Sequence, residues 1–377
     1  MTTNLLKIIV LRSKIIEALS SVERSVGNDS TSLPILKNVL LRVSRGDVAF
    51  IATNLETVVC HSIACKVMQE GEFTVPFSIF SGVVRNLSGE KVSLERDGDL
   101  LRIIADNYEA SLNGVSAEDF PVLPSLGANN PLVVFPAGFL RGVFSRVAAA
   151  TQYSEIRPEI SGVFVSGKDD DMVFAATDSF RLSEAIVRKG EFSRTGSGGD
   201  FSFIAPIKTV QDFQRIFIDD SEKVEVFLNG GQGQFKTATR SIVFRLVQGV
   251  FPDYTQIIPK SFTKTVVFNR EDVQSAVRLV SSFSGKGRDV VIKAGEGGKF
   301  LEIKASQGSV GEGISKVPAK IDGGGFSLLL NWVYILDGLK MCGGKETVMG
   351  INSEDKPVKF SNPEDQTFIY VVMPIRG

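Results

Sequence analysis

The sequence predicts an α+β protein made of three tandem copies of one unit, each with two helices and about eight short strands. Three observations carry this. Four kinds of segment recur three times in one order, their landmarks keep nearly one period, and 377 residues exceed what a single hydrophobic core supports. Helices covering one face of a largely antiparallel sheet make such a layered unit.

Each copy opens on an apolar strand that leads into an amphipathic helix: "IIVLRSKIIEAL" from Ile8, "LVVFPAGFLRGV" from Leu132 and "TVVFNREDVQSAV" from Thr265. Two strands follow and end near a small hydroxyl residue, Thr53 in "VAFIATN", Thr177 in "MVFAATD" and Ser306 in "LEIKASQ". A strand then enters a second helix in "FTVPFSIFSGVVRNL", "FSFIAPIKTVQDFQRI" and "FSLLLNWVYILDGL". Paired strands and an exit close each copy at "EDFPVLP", "GVFPDYTQIIP" and "VVMPIRG". Pro76 and Pro206 are 130 residues apart, Pro206 and Asn331 125, Phe120 and Phe251 131, and Thr53 and Thr177 124. Boundaries near Leu126–Pro131 and Ile258–Phe262 give units 1–127, 128–259 and 260–377.

Composition narrows the chemistry. A hydrophobic fraction of 43% with 23% charged residues is ordinary for a soluble globular protein. No stretch approaches the roughly 18 to 20 apolar residues that span a bilayer, so no membrane partner is expected. The opening "MTTNLLKIIV" lacks the sections of a secretion signal, and three cysteines fit a reducing cytoplasm, where the protein is expected. His61 is the only histidine, so a Ser/His/Asp triad would have to pass through it. It sits in "VVCHSIACKV", which alternates like a strand and sends Cys60 and His61 to opposite faces, against a metal site. A hydrolase built on Asp178 and Ser179 would lack its base. The glycine-rich "LNGGQGQF" and "AGEGGKF" each lie between strand-like runs and read as hairpin turns, since a phosphate cradle must lead into a helix. Neither an enzyme, a metal nor a cofactor is expected.

The helices carry the other signal. A helix that packs one face on a sheet leaves the opposite face for a partner. From Pro136, Phe139, Leu140, Val143, Phe144 and Val147 form the buried stripe, with Arg141 and Ser145 opposite. The outward stripes elsewhere read Lys208, Gln211 and Arg215, then Arg270, Gln274 and Arg278, then Lys14, Glu17, Ser21 and Arg24; Arg85 and Lys340 complete the set. Glu17, Asp212 and Asp337 are the dissenting acids. Basic chains at this spacing suit sequence-independent phosphate contact, although such a stripe is more often a solvated face. With a formal charge of −1, the basic groups must be segregated onto one face to serve nucleic acid.

Taken together, "LPILKNVLL", "ATDSFRL", "FPDYTQIIP", "NWVYILDGL" and the final "YVVMPIRG" resemble the bacterial DNA polymerase III sliding clamp, the beta subunit, in the family's order and over the whole chain. The resemblance implies a DNA-clamp domain in each copy and a homodimer closed head to tail into a ring, helices lining the hole. Double-stranded DNA would be held by encirclement, without sequence preference. It also implies a non-enzymatic processivity factor, with the DNA polymerase III catalytic subunit, the clamp loader, and other polymerases and repair proteins as partners. These would dock clamp-binding peptides in an apolar pocket between the second and third domains. Carried over, that pocket is Ile160, Thr177, Ser179, Phe180, Arg181, Leu182, Pro252, Ile257, Asn331, Tyr334, Met373, Pro374, Ile375 and Arg376. Met373 supplies an adaptable apolar surface, and Arg181 and Arg376 would offer charge-assisted hydrogen bonds. Phe180 stands where the family often has a Gly-His pair before the arginine, and Gln256 replaces a common basic residue. At the ring-closing edge the family's apolar pair falls on Ser281 and Ser282, its acidic cluster is reduced to Glu312, and Ala110 and Leu112 face it. The resemblance thus implies weaker ring closure than is usual.

Overall fold

The structure is a computed structural model that describes residues 6–28, 33–124, 130–168, 170–195 and 199–375. Its elements run through one order three times. First come β1 (Lys7–Leu11), α1 (Arg12–Val22), β2 (Asn38–Ser44), β3 (Asp47–Thr53), β4 (Thr57–Ala64) and β5 (Lys66–Gln69). β6 (Gly71–Pro76) then enters α2 (Phe77–Asn86), and β7 (Lys91–Asp97), β8 (Leu100–Ala105) and β9 (Tyr108–Asn113) close the repeat. The second repeat begins with β10 (Val133–Pro136), α3 (Ala137–Ala148), β11 (Gly162–Lys168), β12 (Asp171–Thr177), β13 (Arg181–Val187) and β14 (Ser193–Arg194). It ends with β15 (Phe201–Pro206), α4 (Ile207–Ile216), β16 (Lys223–Asn229), β17 (Gln232–Lys236) and β18 (Arg240–Arg245). The third has β19 (Lys264–Asn269), α5 (Arg270–Ser281), β20 (Asp289–Ala294), β21 (Phe300–Gln307) and the long β22 (Gly311–Asp322). β23 (Phe326–Asn331), α6 (Trp332–Cys342), β24 (Glu346–Ile351), β25 (Val358–Asn362) and β26 (Asp365–Val372) follow.

One hydrogen bond fixes the equivalence of the repeats. The first helical N–H of α1, α3 and α5 donates to the residue just before β7, β16 and β24: Arg12 to Glu90 O (2.8 Å), Ala137 to Glu222 O (2.8 Å) and Arg270 to Lys345 O (2.9 Å). The third repeat has one strand fewer because β22 does two jobs. Its first part pairs with β21, and Ala319–Asp322 pair with β19, as β5 pairs with β1 and β14 with β10. Both glycine-rich stretches are turns between strands; Gly230 and Gly231 take φ of +55° and +83°, which glycine reaches without a Cβ clash.

The chain divides into two compact units, Met1–Phe139 with Ser193–Gly198 and Gln211–Leu246, and Leu140–Phe192 with Gly199–Val210 and Val247–Gly377. The first holds a five-stranded sheet, β5-β1-β7-β8-β9, and a nine-stranded sheet, β14-β10-β16-β17-β18-β4-β3-β2-β6. The second holds a twelve-stranded sheet, β15-β11-β12-β13-β26-β25-β24-β19-β22-β21-β20-β23. Each large sheet crosses a repeat boundary by the same antiparallel pairing. β4 pairs with β18, Thr57 opposite Phe244 and His61 opposite Arg240; β13 pairs with β26, Arg181 opposite Val372 and Ala185 opposite Phe368.

Helix patterning supplies the cores. α1 buries Ile15, Ala18, Leu19 and Val22, the i, i+3, i+4, i+7 face, and α5 buries Val273, Ala276, Val277 and Val280. Asn269 and Asn331 start α5 and α6 as N-caps, accepting from Glu271 and Asp272 N–H and from Val333 N–H. In α6, Gly338 lets the helix lie on the buried Tyr370 ring, where an added Cβ would meet ring carbon at 2.4 Å.

Period-two alternation separates Cys60 from His61 as expected: Cys60 packs beside the Leu40, Ile51 and Phe120 cluster, while His61 turns toward α1. His61 is 2% exposed, with Nδ1 2.8 Å from Ser21 Oγ and Nε2 3.9 Å from Glu17 Oε1. Arg240, also buried, donates to Glu17 (2.5 Å) and Glu222 (3.2 Å). Burial first, and the Arg240 charge second, hold the His61 pKa down to about 4. Because the folded value lies below the unfolded value near 6.5, the unfolded chain binds the proton first. His61 therefore costs no stability above about pH 6.5, and its penalty grows as pH falls toward 4, reaching on the order of 3 kcal/mol. Urea unfolding of the native chain and His61→Asn at pH 7 and pH 5 should show the native chain losing more stability; equal losses would contradict this.

Candidate functional site

The site is built on the turn from β12 to β13. Thr177 Oγ1 donates to Arg181 O (2.7 Å) and accepts from Ser179 N–H (3.1 Å), while Asp178 Oδ1 accepts from the N–H groups of Phe180 and Arg181 (3.0 Å each). Closing the turn this tightly puts Ser179 at φ +78° and turns Phe180 outward, 61% exposed. The first repeat makes the same turn with Thr53, Asn54 and Leu55 (φ +71°), which explains why the sequence repeats a small hydroxyl residue there. In the third repeat the strands run past Ser306 and turn instead between Gln307 and Gly311.

β26 lies alongside, and its exit is clipped at two points: Met373 N–H donates to Phe180 O (2.8 Å) and Ile375 N–H to Leu329 O (2.8 Å). Between the turn, this exit and the start of α6 is a cavity of about 500 Å³ lined by Ser179, Phe180, Asn331, Tyr334, Met373, Pro374 and Ile375. Its walls are chiefly apolar, with few polar atoms converging, as suits a short apolar peptide segment.

The seven lining residues belong to the fourteen named from the sequence; the others stand elsewhere. Ile160, Thr177 and Leu182 are buried, and Leu182 packs with Tyr254 and Val371. Pro252 is half-buried and Ile257 46% exposed on the segment after β18; Arg376 lies outside the described residues. Arg181 differs most from expectation. Its side chain is 9% exposed, donates to Asp178 Oδ2 (2.9 Å) and Asp337 Oδ2 (2.5 Å), and lies 4.3 Å above the Tyr334 ring. Its donors are engaged inside the protein, so it braces the turn against α6 and sets the position of a pocket wall. Sequence reasoning missed Asp178 and Asp337 as its partners. The i,i+3 spacing of Tyr334 and Asp337 on one helix was the available signal.

Two of the acids that interrupted the basic stripes thus have structural partners: Asp337 binds Arg181, and Glu17 binds Lys14 and Arg240. Among the cations, Lys14, Arg24, Arg85, Lys208, Arg215, Arg278 and Lys340 are exposed. Arg141 is half-buried, and so is Arg270, whose Nε donates to Gly344 O (2.6 Å). Gln274 is 8% exposed and not outward, because the exposed face of α5 runs through Glu271, Asp272, Ser275, Arg278 and Leu279. Lys14–Glu17 and Arg85–Glu23 (3.0 Å) are surface pairs, a class worth about 0–1 kcal/mol and readily exchanged for another anion. Ala110 and Leu112 are half-buried on β9, an edge strand. Ser281 ends α5, its hydroxyl donating to Arg278 O (2.8 Å), and Ser282 is exposed. The large apolar residue at this helix end is Leu279, 69% exposed, which sequence reasoning passed over.

Comparison with known proteins matches the chain to three consecutive domain descriptions: DNA polymerase III beta subunit, N-terminal domain, over residues 6–124; central domain, over 135–253; and C-terminal domain, over 255–376. The beta sliding clamp of Synechocystis sp. is 28% identical, covering 98% of this chain and 99% of its own, and that of Bacillus subtilis is 24% identical, covering 98% and 100%. The crystal structure of the Bacillus subtilis DNA polymerase sliding clamp superposes with a TM-score of 0.92 at 23% identity over 99% of both chains. That of the Pseudomonas aeruginosa DNA polymerase III subunit beta gives 0.90 at 22%, covering 98% of this chain and 100% of that one. With the family's three domains present in order across nearly its whole length, the chain belongs to the DNA polymerase III beta subunit family.

Proposed function

We propose that this chain is a DNA polymerase processivity factor. Two copies close head to tail into a ring around duplex DNA, and the pocket at Phe180 and Tyr334 holds short peptides of the DNA polymerase III catalytic subunit, the clamp loader, and other polymerases and repair proteins. The repeat units are 1–127, 128–259 and 260–377. One observation carries the ring: the antiparallel junction is made twice, β4 with β18 and β13 with β26, and its two halves remain at the ends of the series. β9 stands in the place of β18 and β26, and the first part of β22 in the place of β4 and β13. Neither has a strand on that side among the described residues. Exposed strand edges seek partners, and a heterologous contact that closes yields a ring.

Lys14, Arg24, Arg85, Arg141, Lys208, Arg215, Arg270, Arg278 and Lys340 are the residues assigned to the DNA side. They are spread over the six helices and the turn after α1, and Lys14, Arg85 and Arg270 already have partners within the chain, so their phosphate contacts are sequence-independent, exchangeable and salt-sensitive, which permits sliding. Holding by encirclement raises the effective concentration of whatever the pocket carries. The non-enzymatic, cytoplasmic role follows from this reading. The discriminating assay is retention on nicked circular DNA after loading. The protein should stay bound on circles and run off once they are linearised; equal retention on both would sink encirclement.

Pocket and brace separate by mutation. Phe180→Ala, at an exposed side chain, should weaken binding of a polymerase-derived clamp peptide by about tenfold, near 1.4 kcal/mol, and leave stability within about 0.5 kcal/mol. Arg181→Ala should instead lower stability by roughly 3 kcal/mol, because the buried Asp178 carboxylate loses its partner while Asp337, a third exposed, turns to water. Calorimetric peptide titration and urea unfolding read both, and an Arg181→Ala chain as stable as the native one would contradict the brace.

A further inference from the structure

We infer that Arg288 sets the charge preference of the pocket: it is the cation that takes the carboxylate of an aspartate or glutamate beside the apolar run of a docked peptide. The inference rests on the pocket reading and adds the charge that the ligand carries. Arg288 immediately precedes β20, where Asp289 pairs with the pocket-lining Asn331. Its carbonyl accepts the first helical N–H of α6, from Trp332 (2.9 Å), and its own N–H donates to Gly285 O (3.1 Å). The residue is thereby fixed against the helix start that forms one wall of the cavity.

The main chain carries the structural role at this position. In the second repeat Ser161 stands before β11, and its carbonyl accepts from the N–H of Ile207, the first residue of α4, in the same way (3.0 Å). A serine suffices there, so the fold does not call for a guanidinium. Arg288 also sits at φ +54°, a left-handed region that a residue with a Cβ enters uncommonly. A long cation kept in a strained main-chain position points to a use outside the fold.

Its charge is free where those of its neighbours are taken. Arg181 is held by Asp178 and Asp337, and Arg157 donates to the pocket-lining Ser179 (2.8 Å) and to Glu159 (3.1 Å). Gln256 is neutral and bonded to Asp253 (2.7 Å). Arg288 is exposed, and its guanidinium has no hydrogen bond or ion pair among the described residues. Its field reaches the cavity: burial first, and then the Asp178 charge, push the Tyr334 hydroxyl above its ordinary pKa, while Arg181 and Arg288 pull it down. An apolar cavity with an unpaired cation at its edge is complementary to an apolar peptide run with an acid beside it. Arg288 does not line the cavity itself, so the carboxylate it meets stands on a side chain outside the buried run, not on a chain end lodged within it.

Calorimetric titration with three acetylated, amidated peptides tests this, the amide removing any chain-end carboxylate. Each carries the apolar run of a clamp-binding peptide of the DNA polymerase III catalytic subunit, flanked on both sides by Glu, by Gln or by Lys. The native chain should bind the Glu peptide about tenfold more tightly than the Lys peptide, with Gln between, and the spread should narrow as salt rises. Arg288→Ala should bring the three within about twofold of one another, Arg288→Glu should reverse their order, and Arg288→Lys should keep it. A reversal is a readout that a merely structural role would not move, and circular dichroism should show all three variants folded. Equal affinities on the native chain, or an unchanged order with Arg288→Glu, would overturn the inference and leave the pocket standing. Failure of the native chain to bind any of the three peptides would overturn both.

Discussion

Strand pairing across repeat boundaries is the constraint on which the rest depends. A repeat of this kind ends in strands whose backbone donors and acceptors cannot be left unpaired without cost, and the fold satisfies them by handing each open edge to the next copy. β4 with β18 and β13 with β26 are the result, and the sheets grow to nine and twelve strands because of it. A junction made by backbone bonds tolerates large changes in side chains. That explains how a chain sharing under a quarter of its residues with the Bacillus subtilis clamp superposes on it at a TM-score of 0.92.

The same junction creates the pocket. Pairing Arg181 with Val372 brings the Thr177–Arg181 turn beside the exit of the final strand, and α6 supplies the remaining wall through Asn331 and Tyr334. The half-buried Arg181, held between Asp178 and Asp337, fixes the distance between turn and helix, so the cavity is set before any ligand arrives. A preorganised pocket avoids part of the ordering cost of binding. The apolar end of the sequence thus serves twice, as core strand at Val371 and Val372 and as pocket wall at Met373 to Ile375.

Triplication was legible in the sequence because its landmarks are local: Pro76, Pro206 and Asn331 stand where a strand enters a helix, and Thr53 and Thr177 close identical turns. The seven pocket-lining residues were legible through family motifs, not through periodicity. The electrostatics were not. Arg181 and Asp337 are 156 residues apart and Arg240 and Glu17 are 223 apart, and no local pattern records which distant acid a cation will meet. Helix phase was also misjudged at Gln274, since its neighbours Val273, Ala276 and Val277 allow a buried face wide enough to include it. Leu279 was passed over for the same reason, because an apolar residue beside that stripe looks like core until its exposure is known.

Electron micrographs of the purified chain test closure most directly. At concentrations that favour assembly the particles should be annular, with a central hole admitting a duplex. A field of open, elongated particles at every concentration would contradict the head-to-tail closure from which pocket, tether and sliding all draw their meaning.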